Sequence, residues 1–560
     1  MATFFKVSEE LPRREGAPSG AERRRGWWRP GSVVPWTDRR GFREALGSVR
    51  QEQFLVDTPG GLAVGLGGTL GFEDSPPRDA LPVVAWVPAT APEQLGDASF
   101  VEDHGLRYPY LAGAMANGIG SVEIVSEMAR AGMLGFFGAA GLSLEAIEAA
   151  LDRLQRELGD RPWGSNLIHS PAEPELEDAV VDLYLRRGVR RVEASAYMEL
   201  TPAIVRYRVT GLRRGPDGTV HSPHRIVAKV SRSEVAARFL SPPPERILAD
   251  LVTRGRVRRE EAELAAEIPM AQDLTVEADS GGHTDNRPAI ALVPALLALR
   301  DRLQAKYRYA TPLRVGAAGG VATPASAAAA FAMGAAYVLT GSINQGCVES
   351  GSSDVVRAML AEAESADVTM APAADMFELG VKVQVLKRGT MFPMRATRLY
   401  EIYKAAAGLD AISAADRALL EKTFFRSTFD EVWRETQSFF AQRDPGQLDR
   451  AATDPKHKMA LVFRWYLGCS SRWANSGEPT RKLDYQVWCG PAMGAFNEWT
   501  RGSFLEQPGN RRVATVALNI LHGAALTLRA SNLRAQGVRL PEDVLRPAPL
   551  TLEELHGSLQ

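Results

Sequence analysis

Eight short apolar segments alternate with amphipathic helical patterns between residues 108 and 341, and this alternation is the strongest constraint on the fold. A parallel sheet needs a long crossover after each strand, and the intervening helical patterns supply it. Eight successive units predict an α/β fold of the (β/α)8 TIM-barrel type rather than an open doubly wound sheet. No G-x-G-x-x-G fingerprint follows any segment, which disfavours a Rossmann domain. The predicted strands are Tyr110–Met115, Met133–Gly138, Trp163–Leu167, Arg191–Ser195, Arg225–Val230, Leu274–Ala278, Leu313–Ala318 and Tyr337–Gly341.

The whole chain divides into three predicted regions. Residues 1–104 are rich in glycine and proline and are expected to form a partly β-structured N-terminal leader that packs on the barrel. Residues 105–350 are expected to form the barrel, with a helical insertion at about 240–270. Residues 351–560 are expected to form a helical C-terminal region, in which clustered tryptophans indicate a buried satellite core or an interface.

Two stretches depart from a plain barrel. Pro242–Pro269 contains two helical patterns, Glu245–Arg254 and Arg259–Glu267. Because additions on the carboxyl side of barrel strands often shape the entrance, this insertion is either a lid or carrier-docking element, or a helical hairpin that only extends the core. An extended pair is expected over Arg206–Leu212 and Thr219–His221, joined by a Gly-Pro-Asp-Gly turn.

Composition excludes several classes of protein. The 560 residues include 66 lysines and arginines against 67 acidic residues, so the net charge of -1 provides no global field for nucleic acid or an anionic membrane. Three cysteines, none in a Cys-x-x-Cys pair, argue against a disulfide scaffold or a zinc ribbon. No apolar run approaches the ~20 residues that cross a bilayer, and the N-terminus lacks an apolar signal core. We therefore expect a cytoplasmic protein with no membrane or nucleic-acid partner.

Glycines follow the seventh and eighth predicted strands. Gly319 and Gly320 end strand seven, and Gly341 and Ser342 end strand eight. Glycine lets a backbone approach a ligand closely and leaves its N–H groups unobstructed. The loops after these two strands of a (β/α)8 barrel often form a phosphate cradle. The sequence therefore predicts a phosphate-binding site between them.

Four ionisable residues occur in nine positions at the end of strand six: Glu277, Asp279, His283 and Asp285. Gly282 belongs to a glycine pair that directs His283. A histidine with a pKa near neutrality exchanges a proton with a substrate at little cost. A metal site is the rival interpretation, but no other histidine lies at ligand spacing nearby, and no metal is predicted. Alternatively, His283 only forms a hydrogen bond with a neighbour.

Small and polar residues lie at the ends of three other strands. Ala114 and Met115 end strand one, where a flat ring could lie against the backbone. Asn166 in strand three could bond the edge of a heterocycle. Lys229 in strand five could stabilise negative charge on a reduced flavin ring, or could be an ion-pair partner inside the barrel.

These strings resemble the FMN-binding barrels of nitronate monooxygenases and FMN-dependent enoyl-carrier-protein reductases. Four longer strings resemble one branch, the PfaD family, which comprises trans-acting enoyl reductases of polyketide and polyunsaturated fatty acid synthases. The likeness extends from about Trp28 to Gly537. Some members of this family carry a fused acyltransferase, but no G-x-S-x-G elbow occurs here. The four strings are Glu277–Pro288, Thr340–Gln345, Ala371–Gly380 and Asp484–Pro491.

The resemblance implies FMN and NADPH as cofactors and an acyl carrier protein carrying an enoyl thioester as partner, within a polyketide or fatty acid synthase. It implies that His283 polarises the thioester carbonyl or delivers a proton. Gly319, Gly320, Gly341 and Ser342 would hold the flavin phosphate. The complete set of expected cofactor-binding residues is Ala114, Met115, Asn166, Lys229, Glu277, Gly282, Gly319, Gly320, Gly341 and Ser342.

Two other functions are compatible with the same residues. One is a nitronate-monooxygenase-like oxidase, in which His283 would be a base and O2 the acceptor. The other is a catalytically silent docking scaffold, against which the retained histidine and glycine loops argue. Four basic residues lie beyond the barrel: Lys382, Lys387, Arg388 and Arg395. They either contact an acidic carrier protein or the 2′-phosphate of the cofactor, or they form a solvated face. The aromatic C-terminal block is compatible with a homodimer.

Overall fold

A five-stranded antiparallel sheet forms the N-terminal part of the computed structural model, which describes residues 26–31, 34–73, 75–169, 174–540 and 546–559. The strand order is β3-β2-β5-β1-β4. The predicted leader is thus β-structured from Trp27 onward, and residues 1–25 of it lie outside the described residues. Its elements are β1 (Trp27–Arg29), α1 (Arg39–Gly47), β2 (Gln53–Thr58), β3 (Gly61–Leu66), β4 (Thr69–Gly71), β5 (Leu81–Val87) and α2 (Ala98–His104).

A closed barrel of eight parallel strands follows, in the order β12-β13-β15-β16-β6-β7-β8-β9. Each of the eight predicted segments contains one of these strands or overlaps it, and the fold class is confirmed. The strands after the leader are β6 (Tyr110–Ala112), β7 (Leu134–Phe137), β8 (Gly164–Ile168), β9 (Arg191–Ser195), β10 (Arg213–Arg214), β11 (Val220–His221), β12 (Arg225–Val230), β13 (Asp273–Glu277), β14 (Gly282–His283), β15 (Arg314–Ala318), β16 (Val338–Thr340), β17 (Val368–Pro372) and β18 (Lys382–Leu386).

Helices surround the barrel because their sequences carry both a start signal and one apolar face. In the helix Leu144–Leu158, the Ser143 hydroxyl accepts a hydrogen bond from Ala146 N at 3.3 Å, and Ile147, Leu151 and Leu154 are buried on one side. The helices around the barrel are α3 (Val122–Arg130), α4 (Leu144–Leu158), α5 (Pro174–Arg186), α6 (Pro202–Val209), α7 (Ser233–Phe239), α8 (Glu245–Thr253), α9 (Arg259–Leu264), α10 (Ala289–Tyr307), α11 (Pro324–Ala332) and α12 (Ser342–Gln345).

The inserted helices α8 and α9 extend the core of the barrel. They connect the end of α7 to the beginning of β13, which is the end of the barrel opposite the carboxyl ends of the strands. Leu248, Leu251 and Val257 are buried in the main core, and Arg256 forms ion pairs of 3.0 Å with Asp178 and with Asp182, both of α5. The structure therefore shows that the insertion packs into the core, and its role as a lid or carrier-docking element stays a prediction.

The expected extended pair is wrong over most of its first segment. Residues 206–209 are the end of helix α6, and only Arg213–Arg214 pairs with Val220–His221. The β-branched and aromatic residues of this stretch favour a strand, but the Thr201 side chain caps the helix and Pro202 occupies its first turn. Every residue from 203 to 209 is buried, because α5 and α8 pack on this helix.

The C-terminal region is helical except for one hairpin, which the sequence analysis did not predict. Strands β17 and β18 pair with each other, and β18 also pairs with β14 of the barrel loop. A second core lies under this hairpin and receives Trp465, Trp473 and Trp488, whereas Trp499 packs on the main core. The helices are α13 (Asp354–Ala361), α14 (Phe392–Ala405), α15 (Ala414–Leu419), α16 (Phe429–Arg443), α17 (Pro445–Thr453), α18 (Pro455–Ser476), α19 (Ala492–Thr500), α20 (Val513–Ala535) and α21 (Leu552–Leu559).

Helix α20 is long and apolar enough, by length and composition, to cross a membrane, so the expectation that no run approaches this length is wrong. However, 78% of its most apolar stretch is buried inside the protein, as in the core helix of a globular protein. The helix packs on α11 of the barrel and on the N-terminal sheet. Arg529 donates to the backbone oxygens of Gln51 at 2.9 Å and Pro88 at 3.1 Å. Helix α20 thus joins the leader to the barrel.

A buried ionic cluster closes the end of the barrel where the strands begin. Asp273 accepts from Arg314 Nε at 2.7 Å and lies 2.8 Å from His104 Nε2, and all three side chains are fully buried. Burial alone would raise the pKa of Asp273, but the charges and hydrogen bonds of Arg314 and His104 outweigh burial and lower that pKa. The cluster stabilises the fold only while all its partners are present.

Asp273→Asn should lower the free energy of unfolding by about 3–5 kcal/mol, because it removes the fully buried carboxylate paired with Arg314 and leaves that buried charge with only the partly exposed Asp103. Because the pKa of Asp273 is lower in the folded state, its contribution is present above the pKa of the unfolded carboxyl and is lost as the pH falls through the folded pKa. Urea denaturation at several pH values measures both effects. Asp301→Asn, on the exposed side of α10, is the matched control and should change stability by less than about 0.5 kcal/mol. Equal stability of the two variants would contradict the prediction.

Candidate active site

The predicted site residues meet at one end of the barrel, the end where the carboxyl termini of the strands lie. The parallel ladder fixes this arrangement, since neighbouring strands end side by side: Glu277 pairs with Ala318, and Thr340 pairs with Ala112. The sequence-predicted residues at this mouth are Ala114, Met115, Asn166, Lys229, Glu277, Gly282, His283, Gly319, Gly320, Gly341 and Ser342.

Three ionisable side chains form a cluster at the base of the mouth, of which Glu193 is fully buried and Lys229 and Glu277 are partly buried. Lys229 Nζ lies 3.0 Å from Glu277 Oε1, so the ion-pair alternative for this lysine is the observed one. Glu193 of β9 accepts from Ala114 N at 2.9 Å. Burial raises the pKa of Glu193 to about 7, although the nearby Lys229 charge opposes the shift. The side-chain nitrogen of Asn166 donates to Glu193 O at 3.1 Å, which uses part of the amide that was expected to face a ring.

The sequence analysis did not identify Glu193 as a site residue. A signal was available, because Glu193 is an acidic residue inside the otherwise apolar strand Arg191–Ser195. Buried carboxylates are rare unless they are paired, so an acidic residue in a predicted barrel strand indicates a functional or ion-paired position. Which neighbour it would meet could not be read from the sequence, since Lys229 and Glu277 lie on other strands.

His283 is held by residues of the C-terminal region. Strand β14 pairs with β18 through Gly282 with Gln384 and His283 with Val383. The His283 Nε2 atom lies 3.2 Å from Asp375 Oδ1, in the loop between β17 and β18. Burial would lower the pKa of His283, but the hydrogen bond and charge of Asp375 outweigh it, and the pKa lies above its ordinary value. The Asp375 carboxylate therefore stabilises the protonated form of the imidazole.

The acidic residues near His283 brace its loop. Gln384 Nε2 donates to Asp279 Oδ1 and to Ser280 O, both at 2.8 Å. Arg232 forms an ion pair of 3.0 Å with Asp285. Within the described part of the chain, no group of three or more His, Cys, Asp or Glu side chains could hold a metal ion.

The two glycine turns have the shape of a cradle. Gly319 and Gly320 have φ values of +79° and +77°, which favour glycine, and their N–H groups donate to no partner in the described ranges. A Cβ on Gly319 would lie 2.6 Å from the backbone of Ala278, whereas a Cβ on Gly320 or on Gly341 would meet nothing within 4 Å. Gly319 therefore serves packing, and Gly320 and Gly341 border open space.

These observations test whether FMN fits this end of the barrel. Free N–H groups beside open space suit a phosphate group. Two buried polar atoms, Glu193 Oε1 and Ser280 Oγ, lack a hydrogen-bond partner within the described residues, and a polar ligand would supply one. The Ser342 hydroxyl already accepts a hydrogen bond from Gly490 N at 3.1 Å, which uses part of its capacity to bind a phosphate. The residues present fit a flavin mononucleotide.

The C-terminal region also forms a wall beside the mouth. A Cβ on Gly281 would lie 2.9 Å from the Cys489 backbone, so the segment that precedes α19 packs directly on the histidine loop. Asn117, in the loop after β6, donates to Ser471 Oγ of α18 at 2.8 Å. The candidate site therefore combines the barrel with residues far along the chain.

Two of the basic residues beyond the barrel have partners inside the protein. Arg395 is buried and forms an ion pair with Asp484, so it does not belong to a solvated face or a docking surface. Arg388 lies 3.2 Å from Asp367. Lys382 and Lys387 are exposed at the two ends of β18.

Comparison with known proteins identifies the family of this chain. The family model of nitronate monooxygenase matches residues 99–421, and the model of the inserted helical domain of [acyl-carrier-protein] S-malonyltransferase matches residues 406–485. One subunit of the polyunsaturated fatty acid synthase of Thraustochytrium sp. is 48% identical over 447 residues, which are 79% of this chain and 30% of that protein. Polyketide biosynthesis protein PksE of Bacillus subtilis is 47% identical over 437 residues, 78% of this chain and 57% of that protein.

The chain thus spans less than two thirds of the length of these relatives. A solved structure, the enoyl reductase domain of MlnA from the macrolactin biosynthesis cluster of Bacillus amyloliquefaciens, superimposes with a TM-score of 0.75 at 40% identity. That match covers 79% of this chain and 99% of the MlnA domain. The chain therefore belongs to the nitronate monooxygenase family, in the branch of enoyl reductases associated with polyketide and polyunsaturated fatty acid synthases that the sequence resemblance indicated.

Proposed function

We propose that the protein is a trans-acting enoyl reductase that uses FMN and NADPH to reduce the α,β-double bond of enoyl thioesters carried by an acyl carrier protein. The similarity to the MlnA enoyl reductase domain, which this chain covers almost completely, supports the reaction class. The observation that carries the proposal is the position of His283: it lies on the loop after β13, at the end of the barrel that also carries the two glycine turns, and its Nε2 atom is 3.2 Å from Asp375 Oδ1.

The side chains at the mouth suit the addition of a hydride and a proton to an enoyl thioester. Bound FMN would supply the hydride to the β-carbon. Protonated His283 would donate a hydrogen bond to the thioester carbonyl or a proton to the α-carbon. Gly320 and Gly341 would leave room for the flavin phosphate, and Lys229 would keep a positive charge under the ring. Burial would lower the pKa of Lys229, but Glu277 and Glu193 outweigh burial and raise it, so the lysine stays charged.

A nitronate-monooxygenase-like oxidase is the second candidate, because the family model of that enzyme matches residues 99–421. In that reaction His283 would act as a base, which requires the neutral imidazole. The negative charge of Asp375 stabilises the imidazolium in either reaction, so the preference for the reductase rests on the similarity to the MlnA enoyl reductase domain. A catalytically silent scaffold would not need the open space at Gly320 and Gly341 or the pairing of His283 with Asp375.

The partners follow from the same relatives. Their names place them in polyketide and polyunsaturated fatty acid synthesis, and we propose components of such a synthase, including an acyl carrier protein, as partners of this chain. A cytoplasmic location and a homodimer stay predictions.

His283→Gln should retain FMN but lower the rate of enoyl reduction by about 100-fold or more, because the proton donor is lost. The measurement is anaerobic single turnover: photoreduced protein is mixed with a synthetic enoyl thioester, and flavin reoxidation is followed at roughly 450 nm. For the parent protein, the rate should fall as the pH rises through the raised pKa of His283. His556→Gln, at an exposed position of α21, is the control. A parental rate in His283→Gln would remove the role, and reduction of the oxidised flavin by a nitroalkane without NADPH, followed by reoxidation by O2, would favour the oxidase.

Gly320→Val should lower the affinity for FMN at least tenfold, because its side chain would occupy the open space of the cradle. Gly218→Val is the matched control: Gly218 has a φ of +81° and open surroundings, and lies in the turn between β10 and β11, away from the mouth. Both substitutions carry the same backbone strain, so only the loss of FMN binding separates them. Fluorescence titration of the apoprotein measures this affinity. Equal affinities would indicate that the phosphate binds elsewhere.

A further inference from the structure

We propose that Asp375 is a positioning residue for His283, and that the β17–β18 hairpin is therefore part of the active site rather than only a packing element. The inference rests on the proposed function, since it assigns how the proton donor of that reaction is held. Asp375 acts through the imidazole and is not placed in contact with substrate or cofactor.

The hairpin sets the position of the His283 backbone. Strand β14 has two residues, and in the described chain its only strand partner is β18. Val383, which pairs with His283, is 2% exposed and belongs to the second core. The C-terminal region thus fixes one side of the main chain at the histidine, while the bond from Asp279 N to Arg287 O at 3.0 Å closes the same loop on the barrel side.

The loop that carries Asp375 is itself firmly held. Ala373 N donates to Val381 O at 2.9 Å across its base, and Gly380 N donates to Phe377 O at 3.0 Å. The Phe377 side chain is fully buried and packs edge-on against Tyr400, with ring centroids 5.5 Å apart. A carboxylate on such a loop has a defined position relative to the imidazole.

Asp375 has no structural task that would explain it otherwise. Its side chain is 43% exposed, and His283 is its only side-chain partner in the described residues. An exposed carboxylate that serves only solubility would not point back at the histidine of the barrel mouth.

The remaining charges around the imidazole are fixed by other contacts. Glu277 faces it from β13 and is paired with Lys229 of β12. On the far side of Asp375, Arg464 of α18 is paired with Glu378 at 3.4 Å.

Within the loop of His283, Asp279 accepts from Asn286 and Gln384, and Asp285 is paired with Arg232. Lys382, next to Val383 on β18, is exposed. Asp375 is therefore the carboxylate that bonds the ring.

The geometry also selects the reacting nitrogen. Because Nε2 of His283 faces Asp375, that nitrogen is occupied by the carboxylate. The Nδ1 atom forms no hydrogen bond with the described residues. Nδ1 is therefore the atom that can donate to the substrate, and Asp375 stabilises the positive charge of the ring before the donation.

The test compares Asp375→Asn, Asp375→Glu and the exposed control Asp410→Asn in the full, FMN-loaded chain. The pKa of the His283 imidazole is read by NMR of histidine-labelled protein, whose 8 histidine signals are assigned with His283→Gln. Single-turnover reduction of a synthetic enoyl thioester is measured across the pH range. We expect Asp375→Asn to lower the pKa of His283, to move the falling limb of the pH profile to lower pH, and to lower the rate at neutral pH by about 10- to 100-fold. FMN affinity should not change.

Asp375→Glu should recover most of the pKa and rate, and Asp410→Asn should match the parent. An unchanged His283 pKa or an unchanged rate in Asp375→Asn would overturn the inference. If that variant does not fold, the parent protein still decides, because a His283 pKa below the ordinary value of about 6.5 would also overturn it. Failure of the parent to reduce any enoyl thioester would overturn the proposed function instead, while the NMR titration would still report whether Asp375 controls the imidazole.

Discussion

The closure of a parallel eight-stranded ladder is the constraint on which the other features of this protein depend. Each strand runs in the same direction, so every carboxyl end must lie on one face of the barrel. The ladder makes neighbours of Gly320, after β15, and Gly341, after β16, although 21 positions separate them in the chain. The opposite face carries the Asp273 cluster, which makes the two ends chemically different: one is a closed ionic core, and the other is an open mouth.

The C-terminal region changes the surroundings of His283 at that mouth. In a plain barrel, the loop after β13 would end in solvent, and His283 would be an exposed loop histidine. Here β18 pairs with its backbone and Asp375 bonds its ring. The hairpin has its own core under it, so His283 is paired with a strand that is packed independently of the barrel. Asp375 contacts one nitrogen of the imidazole, and the side chain stays 36% exposed at the mouth.

Buried charge is distributed unevenly along the barrel axis. At the closed end, Arg314 is paired with both Asp273 and Asp103, and Asp273 also bonds His104. At the mouth, Lys229 stands between two carboxylates, and one of them, Glu193, has a raised pKa and an unpartnered oxygen. Unsatisfied polar atoms cost stability and are kept where a ligand completes them. The buried charges that lack full compensation therefore lie at the end of the barrel where we propose that the flavin binds.

The amino-acid sequence was sufficient to predict the barrel, because the alternation of apolar segments and amphipathic helices is a local pattern that follows from crossover geometry. It also located His283 and the glycine turns, since those residue types are informative by themselves. The extended strand predicted over Arg206–Leu212 is wrong over most of its length, because burial between helices overrode strand propensity. The β17–β18 hairpin was not predicted. The contacts of Glu193, Gln384 and Asp375 formed only when the chain folded, because each of these residues bonds a residue that is distant in the chain. Pairings of that kind depend on how separate elements pack, and no local pattern encodes them.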